Sequence, residues 1–362
     1  MSAENSRIEV LRTTLGEPPT ELEIRHWQGL PRSVNLDVVE NICNLACPHC
    51  PLPERMLART KALHRGEEVR PPFMDARVLF RALDEIATWP TKPALQLTAN
   101  GEPLMHPRIV DIVKYSTDRN FRIGMTTNGI LLDDQMALQL LQANISMINV
   151  SVDSPREDLY SIVRKSQSGT NYFQTVIKNI SNLVNRRELM KKDGRKVGTK
   201  IMMNMILRPE TEGIVDEFVK LAAKLGVDSV SMRPLNSNAG LTGQENVDEV
   251  KIVDGVITEM GNLKRWPCHF PFLRVSLAVG NEDGQIRVTW CPHGWDRQEF
   301  DIGMFPEDGK VEELWNSPKM QEIRKNHLSQ TIPTDSPCAK CTDWHYITRT
   351  GKDQKTYADI IR

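Results

Sequence analysis

The chain has 362 residues, of which 40% are hydrophobic and 26% charged, and its formal net charge is −1. This length suggests about two domains, and the composition is typical of a globular protein. The near-zero charge gives no electrostatic basis for binding bulk nucleic acid or an anionic membrane. The first residues lack the basic and apolar pattern of a signal peptide, and no uncharged apolar run reaches membrane-spanning length. We therefore expect a cytoplasmic protein with no nucleic-acid or membrane partner.

Strands and helices alternate along the first two thirds of the chain. Predicted helices separate the predicted strands, which span residues 34–40, 94–99, 121–127, 145–152, 200–207 and 227–233. Six β-then-α units in succession imply a parallel sheet with right-handed crossovers, and six are too few for a complete eight-stranded barrel. The pattern predicts an α/β fold, with a partial (β/α)6 barrel over residues 31–235.

The remaining segments surround this barrel. Strands 273–279 and 285–290 flank the turn Gly280–Gly284 and predict a β-hairpin. The hairpin belongs to a small α+β domain over residues 266–350, which also holds a predicted helix from Val311 to Arg324. We predict the other segments as an N-terminal extension (1–30), an inserted basic loop (51–73), a linker with a helix (236–265) and a C-terminal tail (351–362). Within the extension, Leu15–Pro19 read as a loop that packs on the barrel bottom or covers its mouth.

Seven cysteines divide into a group of three and a group of four. The first group, Cys43, Cys47 and Cys50, forms a C-x3-C-x2-C run after the first predicted strand. The second group comprises Cys268, Cys291, Cys338 and Cys341. Four thiolates can saturate a 4Fe–4S cubane, whereas three leave one iron open to another ligand. A structural zinc site with His49 as the fourth ligand is the alternative for the first group.

The run from Asn41 to Cys50, with Asn44-Leu45 after its first cysteine, resembles the hallmark of the radical S-adenosylmethionine (SAM) superfamily. The resemblance implies that the open iron of a 4Fe–4S cluster chelates the amino and carboxylate groups of SAM. An electron then cleaves SAM to methionine and a 5′-deoxyadenosyl radical. Such an enzyme needs a reducing compartment and a reductant of the flavodoxin or ferredoxin type. The partial barrel is also the core fold of this superfamily.

Further motifs of the superfamily can be placed on this chain. Asn100, Gly101 and Glu102 resemble its Gly-Gly-Glu motif, which implies a site for the methionine amine of SAM. The resemblance also implies roles for four other residues: Ser151 and Asp153 at the ribose, Arg164 at the SAM carboxylate and His49 near the adenine. The alternatives are an ordinary turn at Asn100–Glu102 and a polar strand end at Ser151 and Asp153. For Arg164 the alternative is a solvated helix charge, and for His49 it is simple packing.

The second cysteine group lies in a region that resembles the SPASM/twitch domains of many radical SAM enzymes. The shared features are the Leu314–Ser317 segment and the Cys338-Ala339-Lys340-Cys341 pair. A full SPASM domain carries seven cysteines, so four imply the shorter twitch form with one fully ligated auxiliary 4Fe–4S cluster. A structural zinc ribbon is the alternative.

This arrangement resembles enzymes of the 2-deoxy-scyllo-inosamine dehydrogenase type. The resemblance implies that a secondary alcohol of a sugar or aminocyclitol is oxidised to a ketone in natural-product biosynthesis, with the auxiliary cluster as electron acceptor. Candidates for the required base are Asp153, Asn204 and Arg233, and Arg59 and Arg65 are candidates for clamping an anionic or polyhydroxylated substrate. A peptide-modifying maturase, a redox-neutral sugar epimerase or dehydratase, and a zinc-binding scaffold are the competing hypotheses.

Overall fold

The computed structural model of the protein describes residues 8–15, 19–26, 28–98, 100–211, 213–235, 250–253, 256–260, 265–282, 284–294, 297–350 and 353–354. The strands, β1 to β14 in chain order, are Glu9–Leu15, Ser33–Asp37, Ala94–Leu97, Ile123–Thr127, Met147–Ser151, Lys200–Leu207, Ser229–Pro234, Val250–Val253, Val256–Met260, Arg274–Val279, Ile286–Thr289, Asp301–Phe305, Tyr346–Thr350 and Asp353–Gln354. The helices, α1 to α11, are Glu21–His26, Leu52–His64, Ala76–Ile86, Ile109–Asp118, Asp134–Gln142, Glu157–Val163, Phe173–Lys192, Val215–Leu225, Phe270–Leu273, Val311–Trp315 and Pro318–Ser329. In these ranges, no helix is both long and apolar enough to cross a membrane.

One continuous sheet organises the molecule. Its strand order is β12-β11-β10-β2-β3-β4-β5-β6-β7-β1-β13-β14. The strands β2 to β7 are adjacent and parallel, and helices connect each to the next. This confirms the predicted α/β fold with a six-stranded parallel core. Because all six strands run the same way, their carboxyl ends meet at one edge, where loop residues form a common site.

The helix α3 shows how the sequence produces these units. The Asp75 carboxylate accepts a hydrogen bond of 2.8 Å from the backbone N–H of Arg77 and caps the helix, as predicted. The apolar stripe of α3, which includes Val78, Leu79 and Leu83, is buried against the sheet. Such amphipathic helices cover one face of the sheet and leave the other face to line the barrel lumen.

The lumen face of the sheet is polar near its carboxyl edge. On β2, Val34 and Leu36 join the apolar core on the helix side, so Asn35 and Asp37 point to the opposite face. The bottom of the lumen is closed by a small apolar cluster of Leu11, Met147 and Met202. The lumen therefore changes from apolar to polar towards the cysteine loop.

The second cysteine region continues the barrel sheet. The strand β10 pairs in parallel with β2, and Ala278 lies opposite Asp37. The predicted hairpin is confirmed as β10 and β11, and β12 adds a second antiparallel pairing. The single predicted helix from Val311 is broken into α10 and α11, because Ser317 caps a new helix that begins at Pro318.

The described part of the N-terminal extension joins the opposite edge of the sheet. The strand β1 pairs in parallel with β7 and antiparallel with β13. This strand therefore extends the barrel wall. Residues 16–18 of the proposed covering loop lie outside the described residues.

One predicted segment is corrected by the structure, and another is described only in part. The inserted basic loop 51–73 contains the helix α2, because Pro53 occupies the first turn and strong helix formers such as Leu57, Ala58 and Ala62 follow it. In the linker 236–265, the described residues 250–253 and 256–260 form the antiparallel strands β8 and β9, and the predicted helix falls on residues outside the described ones. Valine and isoleucine dominate this stretch, and their branched side chains favour strands.

A buried ion cluster joins the barrel to the hairpin. The guanidinium of Arg287 on β11 has no exposed surface and donates to Asp301 at 2.8 Å and to Glu40 at 3.5 Å. Arg70 also donates to Glu40, at 2.8 Å. Glu40 follows β2 and precedes the first cysteines, so this cluster connects the two cysteine regions directly.

We expect Arg287→Met to lower the free energy of unfolding by about 3–5 kcal/mol, because it removes one of the two cations that pair with the buried Glu40 and the partner of the half-buried Asp301. Urea denaturation of the protein without iron–sulfur clusters measures the change. The matched control is Lys114→Ala, which removes an exposed ion pair with Asp118 and should cost at most ~0.5 kcal/mol. Equal losses in the two variants would contradict a structural role for the buried cluster.

Candidate active site

The three early cysteines lie in the loop that leaves the carboxyl end of β2. A turn closes between Cys47 and Cys50, where the Cys50 N–H donates to the Cys47 carbonyl at 3.0 Å. Cys47 is buried, and Cys43 and Cys50 are half-buried. The three thiols are near enough for their charges to interact, because ionised Cys47 and Cys50 both contribute to raising the pKa of Cys43. The predicted run therefore forms one compact site.

Backbone contacts hold the cysteine loop against the loop that follows β3. Asn41 donates its N–H to the Asn100 carbonyl at 2.7 Å, and Glu102 donates its N–H to the Ile42 carbonyl at 3.0 Å. Gly101 lies between these bonds, and a Cβ there would come within 2.6 Å of the Ile42 carbonyl oxygen. Glycine is required at this position because the two backbones touch.

The Glu102 carboxylate joins three loop segments. It accepts hydrogen bonds from the Thr127 hydroxyl at 2.6 Å, the Asn128 N–H at 2.9 Å and the Leu104 N–H at 3.1 Å. A carboxylate has about four acceptor positions, so these bonds leave room for one further donor. Burial raises the pKa of Glu102 above its usual value. The predicted role at an ammonium group is compatible with this geometry, but the carboxylate is first a support for the loops.

Side chains from three other segments surround the thiols. Asn128, after β4, lies with its amide nitrogen 3.6 Å from the Cys43 sulfur and 2.6 Å from the Asn44 side-chain oxygen. Arg164, after α6, approaches the Cys47 sulfur at 3.9 Å. Gln167 donates to the Cys43 carbonyl at 2.9 Å. The Asn128 amide and the Arg164 guanidinium, which approach sulfur atoms, favour thiolates, the form that binds iron.

A buried ion pair lies beside Cys47. Arg164 forms an ion pair with Asp153 Oδ2 at 2.7 Å, and Asp153 Oδ1 accepts a hydrogen bond from the Ile206 N–H at 2.9 Å. Burial alone would lower the pKa of Arg164, but the charges of Asp153 and Cys47 raise it above its ordinary value. Asp153 has φ +61°, a strained conformation of the kind found at functional sites.

His49 completes this group from the cysteine loop. Its Nδ1 lies 2.9 Å from Arg208, and its Nε2 lies 3.8 Å from the Asp153 carboxylate. Burial, together with Arg164, Arg208 and Arg233, lowers the pKa of His49 to about 4, although Asp153 opposes the shift. The imidazole is therefore neutral at physiological pH. Arg208, which the sequence analysis missed, directly follows β6, and the rule that functional residues gather at strand ends would have drawn attention to it.

Unpartnered polar atoms line the lumen below this group. Both amide atoms of Gln96, Asn100 and Asn204 are buried without a hydrogen-bond partner, and so is one oxygen of Asn149. Ser151, beside Asn204 in the sheet, is also buried. A buried polar group without a partner costs roughly 1–3 kcal/mol. So many at one place indicate a cavity built to receive a polar ligand.

The four late cysteines form a second site at the β10–β11 end of the sheet. Cys268, Cys291 and Cys338 are buried, and Cys341 is half-buried. Burial is the largest cause of the raised pKa of Cys291, and the charges of the other three thiols add to it. The four sulfurs therefore lie close together.

Arg265 and the pair of His293 with Asp343 lie beside the late cysteines. Arg265 donates to the carbonyl oxygen of Cys338 at 2.5 Å, and its guanidinium lies 5.7 Å from the Trp344 ring. His293, two residues after Cys291, lies 3.4 Å from the Asp343 carboxylate. Within the described residues, no three His, Cys, Asp or Glu side chains at either site are gathered closely enough to hold a single metal ion.

The remaining predicted residues fall in two places. Arg233 contributes to lowering the pKa of both His49 and His293, so its charge lies within range of both cysteine sites. Arg59 and Arg65 belong to α2 and its end: Arg59 donates to the Arg70 carbonyl, and Arg65 is exposed and paired with Glu67. Both proposed clamp residues thus make local contacts, and the charge of Glu40 also acts on Arg59.

Comparisons with known proteins match the region that contains the three early cysteines. The sequence model of the Radical SAM superfamily matches residues 38–222, about half of the chain. A cofactor-modifying protein for tungsten-containing aldehyde ferredoxin oxidoreductase, from Pyrococcus furiosus, is 27% identical over 218 residues, which cover 59% of this chain and 53% of that protein. GTP 3′,8-cyclase from Clostridium botulinum is 24% identical over 221 residues, which cover 59% of this chain and 61% of the cyclase. The chain thus spans just over half the length of these relatives.

Solved structures share the fold at low sequence identity. BtrN in complex with AdoMet and 2-DOIA has a TM-score of 0.52 and 15% identity, and the match covers 91% of this chain and 99% of BtrN. Streptococcus suis SuiB bound to the precursor peptide SuiA has a TM-score of 0.60 and 14% identity, and covers 89% of this chain and 72% of SuiB. The likeness extends beyond residue 222, across the part of the chain that carries the late cysteines.

The raised thiol pKa values predict slow alkylation of the metal-free protein. Burial raises the pKa of Cys50 and of Cys338 to about 11 each, so we expect their reaction with iodoacetamide to rise about tenfold per pH unit between pH 8 and 10. Peptide mass spectrometry measures each rate. Arg164→Met should slow the alkylation of Cys47 further, because Arg164 lowers the pKa of that thiol. The alkylation rate of Cys338 should not change. A Cys50 alkylation rate that stops rising near pH 9 would contradict the raised pKa of this thiol.

Proposed function

This chain belongs to the radical SAM superfamily, and on that premise we propose that it oxidises a secondary alcohol of a sugar or aminocyclitol to a ketone in natural-product biosynthesis. The superfamily implies a 4Fe–4S cluster and SAM. The proposal adds an auxiliary 4Fe–4S cluster as electron acceptor and a small carbohydrate-like substrate in the lumen. Electrons for SAM cleavage would come from a flavodoxin or ferredoxin.

The polar lumen is the observation that carries the proposal. Gln96, Asn149 and Asn204 present amide groups from β3, β5 and β6 of the parallel sheet, and several of their buried atoms lack protein partners. Amides both donate and accept hydrogen bonds, as hydroxyl groups do. A polyhydroxylated ring would satisfy them, whereas an apolar substrate would leave them desolvated and unpaired. The lumen chemistry therefore favours a sugar or cyclitol over an apolar side chain.

The donor sets fit the cofactors. Cys43, Cys47 and Cys50 would hold the SAM-binding cluster, and the four late cysteines would ligate the auxiliary cluster completely. Asn100, Gly101 and Glu102 would bind the methionine part of SAM, with Ser151, Asp153 and His49 near its nucleoside and Arg164 near its carboxylate. When bound there, SAM supplies a 5′-deoxyadenosyl radical that removes a hydrogen atom from the substrate.

The protein's own residues would position the substrate between the two cysteine sites. The charge of Arg233 reaches His49 beside the first site and His293 beside the second. The hairpin that precedes Cys291 pairs directly with β2, which leads into Cys43. A substrate in the lumen would therefore lie near both sites, which oxidation by an auxiliary acceptor requires.

The fold shared with SuiB keeps a peptide-modifying function as the second candidate. The SuiB structure was solved with a precursor peptide and has a higher TM-score than BtrN. Against it, the unpartnered amides of the lumen favour hydroxyl groups. An epimerase or dehydratase would use the same lumen and differs in the mass of its product.

Anaerobic turnover of 2-deoxy-scyllo-inosamine and a panel of cyclitols and amino sugars tests the proposal. We expect one 5′-deoxyadenosine per ketone and a product two hydrogens lighter than the substrate. In deuterated water, a product of unchanged mass that carries one solvent deuteron at carbon would indicate epimerisation. Turnover of a peptide alone would favour the maturase. Either result would contradict the proposed oxidation.

Iron analysis tests the two cofactor sites separately. We expect about eight irons per reconstituted chain. Replacing Cys43, Cys47 and Cys50 by Ala should leave about four irons and abolish 5′-deoxyadenosine formation. The matched variant, Cys338→Ala with Cys341→Ala, should also lose about four irons but retain SAM cleavage. If the first triple variant still produces 5′-deoxyadenosine, the assignment of the SAM-binding cluster is wrong.

A further inference from the structure

The Asp37 carboxyl occupies a distinctive position in the lumen. It ends β2 on the lumen face, six residues before Cys43, and is 3% exposed. Its Oδ1 atom is buried and has no hydrogen-bond partner in the protein. It therefore belongs to the same unpartnered polar lining as Gln96 and Asn204, but unlike an amide it can accept a proton.

The sheet register places Asp37 at the boundary between the two cysteine regions. Asp37 lies opposite Ala278 on β10, and Ala278 lies opposite Arg287 on β11. Residues paired across a sheet share a face, so these three side chains form one row. The small alanine leaves space in the middle of this row, where it faces the lumen.

Three charged groups surround Asp37. Glu40 comes from the loop after β2, Arg287 from β11 and Arg274 from β10, and Arg287 is itself bound to Glu40 and Asp301. Arg274 also donates to the Ser33 hydroxyl at 3.0 Å. Burial and then the charge of Glu40 raise the pKa of Asp37 well above its usual value, although Arg287, Arg274 and the hydroxyl of Thr98 oppose the shift. A carboxylate with a raised pKa is a stronger base near neutral pH.

The other buried carboxylates near the site are already engaged. Asp153 is paired with Arg164 and accepts from Ile206, and Glu102 accepts three protein hydrogen bonds. Glu40 is paired with Arg70 and Arg287. The amide of Asn204 and the guanidinium of Arg233 do not accept protons at neutral pH. Asp37 is thus better placed as a base than the three candidates taken from the sequence.

We propose that Asp37 is the catalytic base that accepts the hydroxyl proton of the substrate. This inference rests on the proposed oxidation. In that reaction the substrate carbon loses one hydrogen atom to the adenosyl radical, and its hydroxyl loses a proton to the Asp37 carboxylate. The remaining electron leaves the substrate for the oxidised iron–sulfur cluster at the late cysteines, and the carbon–oxygen single bond becomes a double bond.

Turnover by anaerobically reconstituted Asp37→Asn protein tests the role directly. The probe is the cyclitol or amino sugar that the wild type oxidises. We expect 5′-deoxyadenosine formation to persist within about threefold and ketone formation to fall about 100-fold or more, which is the usual effect of removing a general base. Asp37→Glu keeps a carboxylate and should recover part of the ketone yield. Added formate should rescue Asp37→Ala, which leaves space for it, but not Asp37→Asn.

A spectroscopic readout keeps the test independent of turnover. In the reconstituted wild type without SAM, the infrared band of a protonated carboxyl should disappear as the pH rises through the raised pKa of Asp37, and the Asp37→Asn protein should lack this band. Ketone formation by the wild type should increase over the same pH range, because only the ionised carboxylate accepts a proton.

The possible results separate the two proposals. Undiminished ketone formation by Asp37→Asn, with iron content equal to the wild type, would overturn the role of Asp37 and leave the oxidation intact. An Asp37 carboxyl that stays protonated up to pH 9 would also overturn it. If the wild type oxidises none of the probes to a ketone, the proposed oxidation fails and the role of Asp37 fails with it.

Discussion

The parallel pairing of β10 with β2 is the contact on which the whole site depends. β2 leads into the first cysteines, and β11, the partner of β10, leads into Cys291. Because neighbouring strands are about 4.8 Å apart, β11 lies only ~10 Å from β2 in the sheet. Two cysteine regions separated by more than two hundred residues in the chain thus border the same lumen. Without this pairing the late cysteines would belong to an appended domain with no set position relative to the substrate cavity.

Burial of charge is the second constraint, and it follows from the first. The junction of β2, β10 and β11 contains Glu40, Arg287 and Asp301, all held by mutual ion pairs. Such pairs seldom add net stability, but their geometry opposes any shift of one strand against another. The same exclusion of water raises the pKa of the thiols, of Glu102 and of Asp37. Each of these groups is therefore neutral more readily than it would be in water, until iron or a nearby cation stabilises its charge.

The differences between the predicted and the observed chain have identifiable physical causes. The basic segment after Cys50 was predicted as a loop from its charges, although Pro53 and the alanines and leucines after it favour α2. Arg59 and Arg65 then lie on this helix and its end, where they bond to local groups. In the described part of the linker, β-branched residues form β8 and β9. In these segments, the backbone preferences of individual residues decide the structure, and the overall composition does not.

The sequence by itself determined the alternation of strands and helices, the helix cap at Asp75, the hairpin and the C-x3-C-x2-C run, because each depends on residues close together in the chain. Local spacing is enough to specify a turn, a cap or an amphipathic face. Only the tertiary structure decided that Glu102 supports three loops, that Arg208 meets His49, and that Asp37 faces a polar lumen beside the hairpin. These relations depend on strand register and on curvature of the sheet, and they join residues that local preferences cannot bring together. The free energy that selects them comes from burial of the complete sheet.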